Sequence, residues 1–259
     1  MTSGSGDRGV QDRVIRALAD ARYRASPVWR DSRLADPDLV ERYARFLARH
    51  FYYERIVQFF KYSRSLARVT GRPPEAVLTG GGFDLLLPSV VLGSRQTAQA
   101  VARLVVAHVG AARAPIPYLM DLLRYEEAMM LVEAGARIWR DGEHGGTGNG
   151  KSEPPQTVEG TLLLDLQYDL PAVLPRLLES WTEVPRAPER PTQLLVARSP
   201  HGRVAVARSD AGIAAVVRLA DGKRTLDDLA AGAGLPVGTL AATLQGLVEL
   251  GALRFSTGS

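Results

Sequence analysis

The chain has 259 residues, of which 46% are hydrophobic, so it can bury a substantial core and we expect two domains. It contains no cysteine, which excludes disulfides, thiolate metal sites and a cysteine nucleophile, and fits a reducing cytoplasm. Its 32 basic residues are scattered among 28 acidic ones, so the net charge of +4 does not indicate a nucleic-acid partner. The polar start predicts no signal peptide, and no apolar run is long enough to span a bilayer.

Helical spacing of apolar residues predicts an all-helical domain over residues 1–141. Asp36-Pro37 predicts the start of one helix, Ser94 caps another, and Pro117 lies near the start of a third. Large aromatic residues recur at three- and four-residue steps from Phe51 onward, which favours a core, with an aromatic partner interface as the alternative. The four histidines lack the spacing of a metal motif, so we expect no metal site in this chain.

A stretch rich in glycine, proline, serine and threonine, residues 142–157, predicts a flexible linker. It contains a literal match to a phosphate-binding loop, from Gly145 to Gly150-Lys151-Ser152. Such a loop needs a buried strand before it and a helix beginning at the lysine, whereas Pro154-Pro155 removes amide donors and blocks that helix. We therefore expect no ATP or GTP site.

Residues 158–259 predict a smaller winged-helix-like domain with a three-stranded sheet and three helices. The β-prone runs 193–198 and 203–207 form a hairpin, and the run 161–168 extends its sheet. Asp210 caps the first helix, Thr225 with Asp228 forms a capping box for the second, and Gly251 ends the third. With the helical domain before it, the whole chain is predicted to be an α+β protein.

The run from Asp221-Gly-Lys-Arg-Thr-Leu to Ala230, followed by the helix that begins at Val237 and by Glu249-Leu-Gly-Ala-Leu, resembles the PqqD-type recognition element of ribosomal-peptide biosynthesis. That resemblance implies that a leader peptide adds as a strand to the hairpin edge and lays apolar side chains beside the third helix, so that main-chain bonds give affinity and pockets give specificity. The residues implied for peptide binding are Arg203, Val204, Ala205, Val206, Ala207, Leu240, Leu244 and Leu247. Sequence alone does not say which of the leucines serve the core instead.

Pro117-Tyr-Leu, Asp121-Leu and Arg124-Tyr-Glu resemble the "PYLxDLxRxE" helix of HvfC- and MbnC-like proteins, which are partners of multinuclear non-heme iron oxidases that modify ribosomally made peptides. The resemblance implies that the helical domain docks on such an oxidase, with Tyr118, Arg124 and Tyr125 as interface residues. It also implies that the partner supplies the iron, and that this chain has no cofactor and no catalytic residue of its own.

These inferences predict a cytoplasmic, non-catalytic adaptor that binds the leader of a precursor peptide and presents it to an iron oxidase, with no membrane partner. The alternative is a winged-helix transcriptional regulator, in which the third C-terminal helix enters the major groove. The segment from Val237 to Thr243 offers almost no side chain that reads bases or phosphates, which argues against DNA. A stand-alone enzyme has only the phosphate-loop match in its favour.

Overall fold

The computed structural model describes residues 4–135 and 154–255 of the chain and confirms the α+β class. The chain divides into two compact units, Met1–Leu119 and Met120–Ser259. In the described part of the first unit the helices are α1 (Gly4–Ala19), α2 (Ala21–Ala25), α3 (Pro27–Arg30), α4 (Pro37–Phe59), α5 (Lys61–Ser65), α6 (Ala67–Thr70), α7 (Gly81–Leu86) and α8 (Arg95–Gly110). Short 3-10 turns at Pro74–Thr79 and Leu87–Ser89 join some of them.

The long helix α4 organises the first unit. Its first turn is fixed by the carboxylate of Asp36, which accepts the amides of Asp38 at 2.9 Å and Leu39 at 3.4 Å, and Pro37 stands where no amide donor is needed. Its buried residues recur at nearly every fourth position, and they are Val40, Ala44, Ala48, Tyr52, Ile56 and Phe59. No glycine or proline interrupts the run, so the helix continues past His50 to Phe59.

The second unit combines a sheet with helices. All but the first residue of α9 (Leu119–Glu133) belongs to it. The elements that follow are β1 (Pro155–Thr157), β2 (Leu162–Leu166), α10 (Leu174–Leu177), β3 (Thr192–Arg198), β4 (Val204–Ser209), α11 (Ala211–Leu219), α12 (Leu226–Ala233), α13 (Val237–Leu250) and β5 (Leu253–Phe255), with a 3-10 turn at Leu170–Ala172. The three-stranded sheet has the order β2-β3-β4 and is antiparallel throughout.

The predicted linker and domain boundary are only partly within the described residues. Positions 136–153 lie outside them, including the boundary at 141 and the phosphate-loop string from Gly145 to Ser152. The last residues of the predicted linker form β1, which pairs with β5, with Pro155 opposite Phe255 and Thr157 opposite Leu253. Helix α9 belongs to the second unit together with the sheet, because it packs on that sheet.

Helix α9 covers one face of the three-stranded sheet. Ala128 and Val132 bury themselves against Val196 of β3, with Val204 and Val206 of β4 packed around them. Both ends of the helix are fastened by polar groups. Asp121 accepts the backbone amides of two residues that follow β2, and Arg198 donates to the carbonyl of Glu133 at 2.8 Å, where α9 ends and needs donors. The helix therefore holds a fixed position on the sheet.

The opposite face of the sheet packs on α11, α12 and α13. Leu195 and Ala197 of β3 join a core that includes Val216, Leu229 and the leucines of α13. The predicted capping box is present at the start of α12, since Thr225 accepts the amide of Asp228 and Asp228 accepts that of Thr225. Helices α12 and α13 meet at 100°, an angle typical of a helix-turn-helix pair.

Gly251 ends α13 and brings it against the hairpin. Its φ is +83°, and a Cβ atom there would lie 2.1 Å from the carbonyl oxygen of Arg198, so glycine is required. Among the described residues no single helix is long and apolar enough to cross a bilayer. The pair α12 and α13 meets that length only when its two bent segments are taken together.

Candidate peptide-binding edge

Strand β4 forms one outer edge of the sheet, and its hydrogen-bond phase is fixed by the turn before it. Ser199 donates its amide to the carbonyl of Arg203 at 2.8 Å, and the register pairs Ala205 with Ala197 and Ala207 with Leu195. Because hydrogen-bonded and non-hydrogen-bonded pairs alternate in an antiparallel ladder, Ala205 and Ala207 bond to β3. The amides and carbonyls of the residues between and beside them, Val204, Val206 and Arg208, point away from the sheet.

Within residues 4–135 and 154–255, no strand pairs with this outer edge and no backbone bond satisfies its outward groups. Val204, Ala205, Val206 and Ala207 are half-buried, because α9 and the C-terminal helices cover the two faces of the sheet. Unpaired main-chain donors and acceptors next to apolar side chains are what an added strand needs. The structure therefore brings five of the eight predicted peptide-binding residues, Arg203 to Ala207, together along one open edge.

Positive charge lies at both ends of β4. Arg203 is exposed just before the strand begins, and no ion pair of its side chain occurs among the described residues. At the other end, Arg208 and Arg190 both bind the carboxylate of Asp169, which is 1% exposed, while the two arginine side chains are 50% and 66% exposed. Burial acts to raise the pKa of Asp169, but hydrogen bonds and charge from Arg208 and Arg190 outweigh it and hold the pKa below its ordinary value. This cluster keeps one positive charge in excess.

The leucine part of the predicted peptide site is placed in the core. Leu240, Leu244 and Leu247 are 1%, 4% and 4% exposed and pack against the residues beneath the sheet. They leave no surface for a peptide, because every third or fourth residue of α13 faces inward. Any apolar contacts of a bound strand must come from β4 and its immediate surroundings.

The three residues predicted to face the oxidase do not share one surface. Tyr118 and Tyr125 are 2% and 7% exposed, whereas Arg124 is exposed and lies 3.9 Å from the carboxylate of Asp121. Asp121, in the same motif, binds the amides of Gln167 at 2.6 Å and Tyr168 at 3.0 Å. The motif helix α9 thus acts in the described structure mainly as a support for the sheet.

A different surface of the first unit is apolar and exposed. Leu39, Tyr43, Phe46 and Tyr53 of α4 are 42% to 63% exposed, and His50 stacks on Phe46 with ring centres 6.1 Å apart. Their alternating steps of three and four residues align them along one helix face, which we call the α4 stripe. The spacing of the aromatic residues from Phe51 onward predicts a core. That holds for Tyr52 and Phe59, and the heptad spacing from Leu39 to Tyr53 is the signal that could have found the stripe.

The DNA-binding alternative requires cations on α13. The exposed residues of that helix are Val237, Gly238, Thr239, Ala241, Ala242, Gln245, Gly246 and Glu249. None is lysine or arginine, although contacts of basic side chains with phosphates supply a large share of the affinity of DNA-binding proteins. Helix α13 therefore has the geometry of a recognition helix without its chemistry.

Over the described residues, no three histidine, cysteine, aspartate or glutamate side chains cluster as they would around a metal ion. A comparison with protein-family models finds no match, and a comparison with curated proteins likewise finds no match.

Proposed function

We propose that this chain is a cytoplasmic, non-catalytic adaptor of ribosomal-peptide biosynthesis, which captures the leader of a precursor peptide and presents it to a multinuclear iron oxidase. The observation that carries the proposal is the open outer edge of β4 in a sheet whose two faces are covered. The class of partner comes from the resemblance of the Pro117–Glu126 motif to oxidase partner proteins. Catalysis and iron are assigned to that partner.

Strand addition at β4 is supported by three features. The outward backbone groups of Val204, Val206 and Arg208 form a row about 13 Å long, given a rise of about 3.3 Å per residue. The strand is apolar between its two arginines, so its side chains favour burial by a second strand. Both faces behind it are packed, so the edge is already held in the conformation that binding requires.

The oxidase is proposed to dock on the α4 stripe. Aromatic side chains are enriched at the cores of protein interfaces, and the stripe presents exposed tyrosine and phenylalanine side chains along one helix face. Arg42, exposed beside the stripe, would pair with an acidic group of the partner. Joining a docking surface and a peptide edge in one chain raises the local concentration of the peptide at the partner's active site.

The test uses the full chain, fluorescently labelled precursors synthesised from short reading frames near its gene, and fluorescence anisotropy. The variant Val206→Pro removes an outward amide and fills the edge with a ring, so we expect a loss of affinity of about tenfold or more. Val206→Ala keeps the amide and loses only side-chain contact, and should stay within about threefold.

A second control distinguishes the two edges of the sheet. Asp165→Pro removes an outward amide on β2, the opposite edge, and should leave peptide affinity unchanged within about twofold. Equal losses from Val206→Pro and Asp165→Pro, or no binding of any encoded precursor, would overturn the proposal. Salt-dependent binding of duplex DNA by the same chain would instead favour the regulator.

A further inference from the structure

Positive charge at the two ends of β4 favours particular side chains in a bound peptide strand. Arg203 and Arg208 are both exposed and stand five residues apart, about 17 Å along an extended chain. An odd spacing in a strand places their side chains on opposite faces of the sheet. Between them lie only valine and alanine.

The nearby acidic groups leave this positive charge available. Asp169 is shared between two arginines, and Asp210, just after β4, uses one carboxylate oxygen to cap α11 by accepting the amide of Ile213 at 2.8 Å. Asp165, the acidic residue of the sheet itself, lies on β2 and is bonded to Gln193. Each end of β4 therefore favours a carboxylate on an arriving strand.

We propose that the substrate of this edge is an extended peptide segment that carries two carboxylate side chains five residues apart, on opposite faces, around a core of small or apolar residues. The inference rests on the proposed function, because it requires strand addition at β4. The five-residue spacing holds for a parallel and for an antiparallel peptide, since both run alongside the same two arginines.

The side chains between the carboxylates follow from the strand as well. Residues opposite Ala205 and Ala207 meet short side chains, which leave room for larger apolar groups on that face. Residues opposite Val204 and Val206 meet branched side chains that already pack towards α9. A bound segment should thus place its bulkier apolar residues opposite the alanines.

The experiment is a selection of random twelve-residue peptides displayed on phage, with the full chain as bait. We expect the enriched peptides to share two acidic positions five residues apart around an apolar core. Enriched extended peptides without that acidic pair, or with it at another spacing, would overturn this inference and leave strand addition standing. Enrichment that Val206→Pro does not abolish, or no enrichment at all, would overturn strand addition and the inference together.

A charge exchange with one selected peptide checks the pairing directly. Arg203→Glu should weaken binding about three- to fivefold, and replacing the matching acidic residue of the peptide by lysine should restore it, as expected of exposed ion pairs. Arg176→Glu, an exposed arginine of α10, is the matched control and should change affinity less than twofold. Equal weakening by both variants, or no rescue by the lysine peptide, would contradict the proposed contact.

Discussion

The two outer edges of the same sheet are built differently. The outward positions of β2 are Leu163 and Asp165, one packed towards the helical core and the other a charged residue of the kind that discourages strand pairing. The chain just beyond β2 is tied down, because the next two amides bind Asp121. The outward positions of β4 are two valines and an arginine, with an apolar strand between the arginines. Both edges have unpaired outward backbone groups among the described residues, and they differ in side chains: β2 carries an exposed carboxylate, whereas β4 is apolar between Arg203 and Arg208.

The open edge of β4 needs a rigid hairpin, and the largest effect on stability should come from the contact between that hairpin and α13. Gly251→Ala introduces a Cβ atom 2.1 Å from a backbone oxygen at a φ of +83°, so we expect a loss of about 3 kcal/mol or more in the free energy of unfolding. Gly234→Ala shares the left-handed conformation, at a φ of +64°, without any close contact, and should cost about 1 kcal/mol. Urea denaturation measures both, and equal costs would show that the contact is absent.

The backbone phase of β4 can be tested without mutation. The amides of Ala205 and Ala207 bond to β3, whereas that of Val206 points outward, so protection from hydrogen exchange should alternate along the strand. We expect a difference of about 100-fold or more between the two classes, measured by NMR. Uniform protection of all three amides would mean that another segment of the chain covers this edge.

The hydrogen bonds from the two amides after β2 to Asp121 should make the next largest contribution to stability. Asp121→Ala leaves two amides without their carboxylate partner and should lower the free energy of unfolding by about 2 kcal/mol. Asp165→Ala removes an exposed carboxylate two residues before Gln167 and should stay within about 0.5 kcal/mol. Denaturant titration of the two variants measures both losses. Equal losses would contradict a stabilising role for the hydrogen bonds to Asp121.

The Asp169 cluster should make stability depend on pH. Its folded-state pKa is below the ordinary 3.8, so its contribution is fully present above that value and is lost as pH falls through the folded pKa. Asp169→Asn should cost about 1 to 2 kcal/mol at pH 7, a modest figure because both arginines are half-exposed or more.

The stability difference between Asp169→Asn and the original chain should shrink on acidification below pH 4, measured by thermal unfolding. Arg190→Gln and Arg208→Gln each leave one donor on the carboxylate and should have smaller effects than Asp169→Asn. A difference that stays constant with pH would contradict the ion pairing.

The smallest effect on folding is expected at the α4 stripe, because its side chains are exposed to solvent. Phe46→Ser should change the free energy of unfolding by about 0.5 kcal/mol or less, because the ring is 63% exposed. Tyr52→Ala, at a ring that is 1% exposed on the same helix, should cost about 3 to 5 kcal/mol. A large loss from Phe46→Ser would show that the stripe is structural and no docking surface.

Several elements could be predicted from local sequence because their causes are local. The helix start at Asp36, the capping box at Thr225, the stop at Gly251 and the hairpin before Arg203 each depend on residues within a few positions of one another. The candidate edge is predicted from local signals as well. Strand alternation and a turn signal predict β4, although they do not reveal its neighbours.

The rest of the site depended on contacts between distant residues. The periodicity of α13 shows that Leu240, Leu244 and Leu247 share a face but not whether that face is covered, and packing buried all three. The exposed face of α4 is equally apolar by pattern and remained open. The resemblance predicts that Tyr118 and Tyr125 are interface residues, and both are buried.

The sequence by itself determined the α+β class, the hairpin and C-terminal helices and several caps, since these follow from backbone preferences and spacing along the chain. Only the tertiary structure decided that β4 is an edge strand, that α9 supports the sheet and that Asp169 joins Arg190 to Arg208. The physical reason is that burial, strand order and ion pairing are properties of residues far apart in sequence, and they are set when those residues pack together.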